Sequence, residues 1–148
     1  MYKHILAATD GSRLSDKAIN TAIELARTLG AKLTVFHATE PYPVGMYSEY
    51  AMLSDAATPG AWAKTQKKRA DAILEKVRAK AAKAGVDVAG ATSETMDPYD
   101  AILATAKNKR CDLIVMSSHG RRGLEGMILG SETHKVLTHG RLPVLVCR

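Results

Sequence analysis

Cysteine, aromatic side chains and long apolar runs are all scarce in this sequence. Two cysteines occur in 148 residues, and Cys111 and Cys147 both lie beside apolar stretches, where a thiol usually acts as a small buried hydrophobic group. The sequence alone leaves a disulfide between them open. No apolar run approaches the ~20 residues of a membrane-spanning helix, and residues 1–4 lack the layout of a signal peptide. We therefore expect a cytoplasmic protein without membrane contact.

The sequence motifs of several enzyme classes are also missing. There is no G-x-x-x-x-G-K-[ST] loop and no G-x-G-x-x-G after the first predicted strand, which argues against common triphosphatases and dinucleotide-dependent enzymes. There is likewise no G-x-S-x-G, no H-E-x-x-H and no paired-cysteine zinc spacing, and the five histidines form no ligand-like cluster. We predict a binding or switching module with no catalytic residue and no metal held directly by side chains.

The positive charge is confined to one segment. The net charge is +6, and residues 64–83 contain eight basic and two acidic side chains, which accounts for all of it. Apolar residues such as Ala70, Leu74 and Val77 recur there at helical spacing, so the pattern predicts an amphipathic helix with a solvated basic face. The alternative, a nucleic-acid-binding surface, is disfavoured because no aromatic residues interleave with the charges.

Short apolar runs alternate with longer helical patterns along the whole chain. This alternation is typical of a single α/β domain, residues 1–148, built as an open, doubly wound parallel sheet of five strands with helices on both faces. The third strand is weak in apolar residues and should lie at a sheet edge, whereas the fourth is continuously apolar and should be central. The predicted strands are 4–9, 32–38, 86–95, 112–116 and 142–147.

Capping signals predict where the helices begin and end. The first helix should start at Ser12 or Ser15 and end at Gly30 in a left-handed conformation. The Asp97 carboxylate should cap a helix that runs to about residue 110, and the last helix should span 131–139. Residues 40–60 form an unusually long connection, which could be a functional flap, a partly helical excursion or a mobile loop.

Two strand ends carry small polar loops that suit an anion. Residues 9–12 follow the first strand and residues 116–123 follow the fourth; both loops contain glycine, which allows backbone amides to approach a ligand. Gly130 and Ser131 stand at the predicted start of the last helix, where free amides and the helix dipole favour phosphate, and Arg121 and Arg122 add positive charge. Each residue could merely serve a turn or a cap. Their convergence at one end of the sheet favours a nucleotide or phosphate site.

At these same residues the sequence resembles the universal stress proteins, over essentially its whole length. Residues 5–12 and 142–146 are similar to the first and last strands of that family. Residues 117–131 resemble its nucleotide loop. In that loop, two residues separate a first glycine from a second, and nine more residues separate the second glycine from a third, which is followed by serine or threonine. Ser117 stands in place of the first glycine, and Met96 stands where the family commonly has another.

The resemblance implies a Rossmann-like fold, of the type of the adenine nucleotide alpha-hydrolases, that binds ATP between the first and fourth strands. Asp10 would lie near the ribose and the adenine, Ala38 would offer its backbone to the adenine, and Met116 would pack on that ring. Gly120, Gly130 and Ser131 would hold phosphates, with Mg²⁺ or Mn²⁺ bound through them. The full set of predicted site residues is Ala8, Thr9, Asp10, Ala38, Met116, Ser117, His119, Gly120, Arg121, Gly130, Ser131, Glu132 and Thr133.

The resemblance also implies a regulatory protein that changes its state with nucleotide occupancy. Dimerisation is expected through the last strand, residues 142–147, because an apolar edge strand otherwise invites aggregation. We expect at most slow ATP hydrolysis, since no base is visibly positioned for it. A structural hydrogen-bonding role for His119 stays open, as does a nucleotide-free regulator that acts through an unknown protein partner.

Overall fold

The computed structural model describes residues 1–43, 58–119 and 129–148. They form a five-stranded parallel sheet in the order β3-β2-β1-β4-β5. The strands are β1 (His4–Ala8), β2 (Lys32–Thr39), β3 (Val88–Glu94), β4 (Leu113–Ser117) and β5 (Val144–Cys147). The helices are α1 (Arg13–Leu29), α2 (Pro59–Lys83), α3 (Pro98–Asn108) and α4 (Ser131–His139). The predicted fold class is confirmed.

Two apolar cores lie on opposite faces of the sheet. On one face, α1 and α2 pack against every second residue of the strands, including Ile5 and Val35. On the other face, α3 and α4 cover the intervening residues, including Leu6 and Phe36. Because side chains alternate along a strand, a sheet buried on both faces needs continuous apolar runs. The central strands β1 and β4 have them, and their carboxyl ends form the point where the strand order reverses.

Most predicted element ends agree with the structure to within two residues. The Ser12 side chain caps α1 by accepting a hydrogen bond from the Ser15 amide at 3.2 Å, and Gly30 ends the helix with φ +62°. β3 lies at one edge as predicted, and Pro143 directly precedes the opposite edge strand, β5. α2 begins at Pro59, so the last two residues of the long connection are helical. The predictions of a flap, a partly helical excursion or a mobile loop concern residues 44–57, which lie outside the described residues.

The predicted Asp97 cap is wrong. The Asp97 side chain makes no capping hydrogen bond, and its backbone adopts φ −120° and ψ 80°. The Tyr99 amide instead donates to Glu132 Oε2 at 2.8 Å. A carboxylate from α4 therefore replaces the local cap at the start of α3, which no local sequence rule could have indicated.

Both cysteines are free thiols, so no disulfide joins them. Cys111 is buried, and burial together with the neighbouring Asp112 carboxylate raises the pKa of its thiol to about 11. A thiol in this state is protonated at neutral pH and is a poor nucleophile. Within the ranges that the structure describes, no helix is long and apolar enough to cross a membrane.

Gly140, at the end of α4, should not tolerate a side chain. A Cβ there would lie 2.5 Å from the Val136 carbonyl oxygen and 3.0 Å from Leu103 Cδ2. We expect Gly140→Ala to lower the free energy of unfolding by about 1–3 kcal/mol, because the packed helix end must shift. Urea denaturation measures this. Gly60→Ala is the matched control, because its Cβ meets nothing within 4 Å; stability equal to wild type in Gly140→Ala would contradict the packing described.

Candidate functional site

The turn after β1 is held by buried hydroxyl groups. The Thr9 amide donates to the Phe36 carbonyl at 3.0 Å, which keeps the turn beside β2. Thr9 Oγ1 lies 2.9 Å from Ser15 Oγ and accepts from the Gly11 amide at 3.1 Å. Asp10 Oδ1 accepts from the Ser12 amide at 2.9 Å, which places this carboxylate in the turn ahead of α1. Thr9 and Asp10 thus lie at the crevice where the predicted site should be.

His37 completes this turn and was not among the predicted site residues. It is buried, and its Nδ1 lies 2.9 Å from the carbonyl oxygen of Thr9, 28 residues away in the chain. A carbonyl oxygen only accepts, so Nδ1 carries the proton. His37 therefore positions the residues that follow β1. A polar ring within a buried strand was the only sequence signal for this role, and the sequence did not identify its partner.

Three of the predicted residues bring an apolar surface to the same crevice. Ala8, Ala38 and Met116 share the core on the α3 and α4 face, and Met116 is 5% exposed. The backbone of Ala38 faces the β1 side of β2, because the Phe36 carbonyl does so and strand backbones alternate with a period of two residues. The contact of Met116 with an adenine ring stays a prediction.

The start of α4 is fastened directly to the end of β4. Thr133 Oγ1 donates to the Ser117 carbonyl at 2.9 Å, and the Gly130 amide donates to the Ser118 carbonyl at 2.6 Å. Gly130 has no side chain to cap the helix, and the first helical bond runs from the His134 amide to the Gly130 carbonyl. Within the described residues, the amides of Ser131, Glu132 and Thr133 therefore stay available to an anion.

The side chains at the end of β4 and directly after it bond to the same short segment. Ser117 Oγ donates to the His119 carbonyl at 2.7 Å, so this hydroxyl turns into its own loop. His119 Nδ1 lies 3.0 Å from Ser118 Oγ, which fits the structural role left open above. His119 Nε2 is buried with no partner in the described part of the chain. Gly120 and Arg121 lie outside the described residues.

Glu132 is engaged with its neighbours by both carboxylate oxygens. Oε2 accepts from the Tyr99 amide, and Oε1 lies 3.3 Å from Lys135 Nζ. The site can therefore use the Glu132 amide, while the side chain caps α3. No group of three or more histidine, cysteine or acidic side chains across the described ranges could hold a metal ion. A divalent cation fits this arrangement when phosphate oxygens supply most of its ligands.

The fold defines the class of the protein first: it is a doubly wound α/β domain with a helix start at its switch point whose amides are available to an anion. Comparison with known proteins then identifies the family. The family model of the universal stress proteins matches residues 1–148, and the universal stress protein YxiE of Bacillus subtilis is 35% identical, with all of both chains covered. The chain belongs to the universal stress protein family.

Solved structures of this family share the fold. One universal stress protein, solved in complex with cAMP, is 26% identical with a TM-score of 0.71, covering 99% of this chain and 97% of that one. A universal stress protein from Archaeoglobus fulgidus, solved in complex with dAMP, is 20% identical with a TM-score of 0.67, covering 99% and 98%. These two relatives were thus solved with adenine nucleotides bound.

The bond between Thr133 and Ser117 should be essential for the position of α4. Thr133→Val keeps the shape but leaves the half-buried Ser117 carbonyl without this donor, so we expect the free energy of unfolding to fall by about 1–3 kcal/mol. Thr133→Ser keeps the donor and is the matched control. Chemical denaturation of both variants measures the difference, and equal stability of the two would contradict an anchoring role for this hydroxyl.

Proposed function

We propose that this protein is a regulatory module that binds an adenine nucleotide, with ATP as its ligand, between the ends of β1 and β4. The observation that carries the proposal is the start of α4, where three amides without partners in the described residues are held beside β4 by Gly130 and Thr133. A helix start of this kind binds phosphate through amide hydrogen bonds and the helix dipole. The relative solved with cAMP supports an adenine nucleotide as the ligand.

Each predicted site residue has a place in this proposal. Ala38 offers its backbone to the adenine, with Met116 beside the ring, and Ala8, Thr9 and Asp10 line the ribose side. The phosphates lie at the start of α4, and Mg²⁺ or Mn²⁺ binds through them. The loop and helix residues assigned to the phosphate side are Ser117, His119, Gly120, Arg121, Gly130, Ser131, Glu132 and Thr133.

The proposal includes a homodimer of single-domain, cytoplasmic subunits, paired through residues 142–147. β5 is an edge strand, and beside it lies an apolar groove of about 250 Å³, whose lining includes Tyr2, Leu25 and Leu113. Leu145 is 38% exposed on this strand. Pairing of two such edges would satisfy their free backbone groups and cover the groove.

A chain of backbone hydrogen bonds supports switching by nucleotide occupancy. The Gly130 amide donates to the Ser118 carbonyl at 2.6 Å, and the Ser118 amide donates to the Cys147 carbonyl at 2.7 Å. Ser118 therefore connects the proposed phosphate site to the proposed dimer edge. Phosphate binding that shifts Gly130 would displace β5, which would change the affinity between subunits.

Binding of nucleic acid through α2 has less support. Ion pairs with Asp71, Asp16 and Glu75 engage three of the basic side chains of that helix: Lys67, Lys76 and Arg78. Paired cations release fewer counterions from a phosphate backbone and contribute less to binding. The remaining alternative is a nucleotide-free regulator that acts on a protein partner.

Calorimetric titration with ATP and magnesium tests the nucleotide site. We expect binding to wild type and at least about a tenfold loss of affinity in Gly130→Asp, because the new carboxylate occupies the amides needed by phosphate. The variant should fold, since Asp is a favoured residue at a helix start and Gly130 has φ −68°. Gly60→Asp, at the first turn of α2, is the control. Absence of heat and of thermal protection with ATP, AMP and cAMP would favour the nucleotide-free regulator.

Sedimentation velocity tests the dimer and its coupling to nucleotide. We expect wild type to sediment as a dimer and Leu145→Lys as a monomer, because a charge on the edge strand opposes pairing of two copies. Leu14→Lys, at a side chain 46% exposed on α1, is the matched control. The dimer dissociation constant should change on addition of ATP. A wild-type monomer, or a constant unaffected by ATP, would contradict pairing or switching, respectively.

A further inference from the structure

The Glu132 carboxylate lies between the starts of two helices. It belongs to the first turn of α4, whose amides form the proposed phosphate site, and its Oε2 accepts from the Tyr99 amide in the first turn of α3 at 2.8 Å. An amide in the first turn of a helix is a preferred anion ligand. Glu132 thus acts as an internal anion for α3.

The position of this charge is restrained from several sides. Glu132 Oε1 lies 3.3 Å from Lys135 Nζ, and the same ammonium lies 5.1 Å from the centre of the Tyr99 ring. The Tyr99 ring also contacts His139, with ring centres 5.4 Å apart. Glu132, Lys135 and His139 lie on one stripe of α4, so Tyr99 contacts the helix over two turns. Each oxygen of the Glu132 carboxylate therefore has a partner, the Tyr99 amide or the Lys135 ammonium, that restrains its position.

A fixed negative charge in the first turn of α4 affects nucleotides unequally. Its repulsion grows with the charge on the phosphate group that the neighbouring amides hold, while the adenine and ribose lie outside this effect. The Glu132 side chain is 34% exposed, so water screens the repulsion without abolishing it. Lys135 offsets part of it.

We infer that Glu132 weakens the preference of the site for the more highly charged nucleotides, because its carboxylate disfavours each additional phosphate charge. The inference rests on the proposed function. At that proposed site, the amides of α4 favour ATP and AMP over a cyclic nucleotide. The Glu132 carboxylate makes this difference in affinity smaller. It is a positioning and specificity residue and has no role in a reaction.

Two substitutions separate the charge of Glu132 from its cap of α3. Glu132→Gln removes the charge but keeps an oxygen that can accept from the Tyr99 amide, whereas Glu132→Ala removes both. Glu75→Gln is the matched control, because Glu75 also forms an ion pair three residues away on its helix, with Arg78 at 2.7 Å. It changes the net charge equally, but on α2.

The experiment is a calorimetric titration of the four proteins with cAMP, with AMP and with ATP plus magnesium near pH 8, where AMP carries about two phosphate charges and cAMP one. We expect Glu132→Gln to bind AMP about three- to tenfold more tightly than wild type, and cAMP less than about twofold more tightly. The gain for AMP should shrink as salt rises. Glu132→Ala should show the same preference at a lower melting temperature, and Glu75→Gln should match wild type.

Three results would overturn the inference, and they can be told apart. Equal changes for AMP and cAMP in Glu132→Gln would mean that the carboxylate acts only through the structure of the helices. Weaker binding of ATP with magnesium by Glu132→Gln would mean that the carboxylate assists a bound cation. Absence of binding of cAMP, AMP and ATP to wild type would overturn the proposed function together with this inference.

Discussion

The attachment of α4 to the end of β4 is the constraint on which the candidate site depends. An amide at a helix start can hold phosphate only if the helix is aimed at the crevice and its first turn has no other partner. The bond from Thr133 to the Ser117 carbonyl provides the first condition, and the lack of a side chain at Gly130 provides the second. The same attachment connects the end of β5 to the candidate site through Ser118, whose amide donates to the Cys147 carbonyl and whose carbonyl accepts from the Gly130 amide.

Two sets of polar contacts hold the β1 side of the crevice, opposite α4. Thr9 is tied to α1 through Ser15 and to β2 through His37, all of them buried. Buried polar groups with complete hydrogen bonding favour a single geometry, because any displacement leaves a donor or acceptor unpaired. These contacts therefore fix the position of Thr9 on the β1 side of the crevice.

Charge at the site comes from few residues of the described chain. Glu132 and Lys135 pair beside the start of α4, and Asp10 lies across the crevice. The large basic surface of α2 lies on the other face of the sheet, where its ion pairs with Asp16 and with its own acidic side chains disperse it. The net charge therefore says little about a ligand of the candidate site, because the charges beside the start of α4 are those of Glu132 and Lys135.

The fold was predictable from sequence because its signals are local. Apolar periodicity determined the strands and helices, and residues such as Ser12 and Gly30 determined their ends. The sequence also indicated the residues at the strand ends and the start of α4. Tertiary structure alone decided that Glu132 replaces Asp97 as the cap of α3, and that His37 supports Thr9. Those contacts join residues 33 and 28 positions apart, and no periodicity or capping rule reaches across a crossover in the sheet.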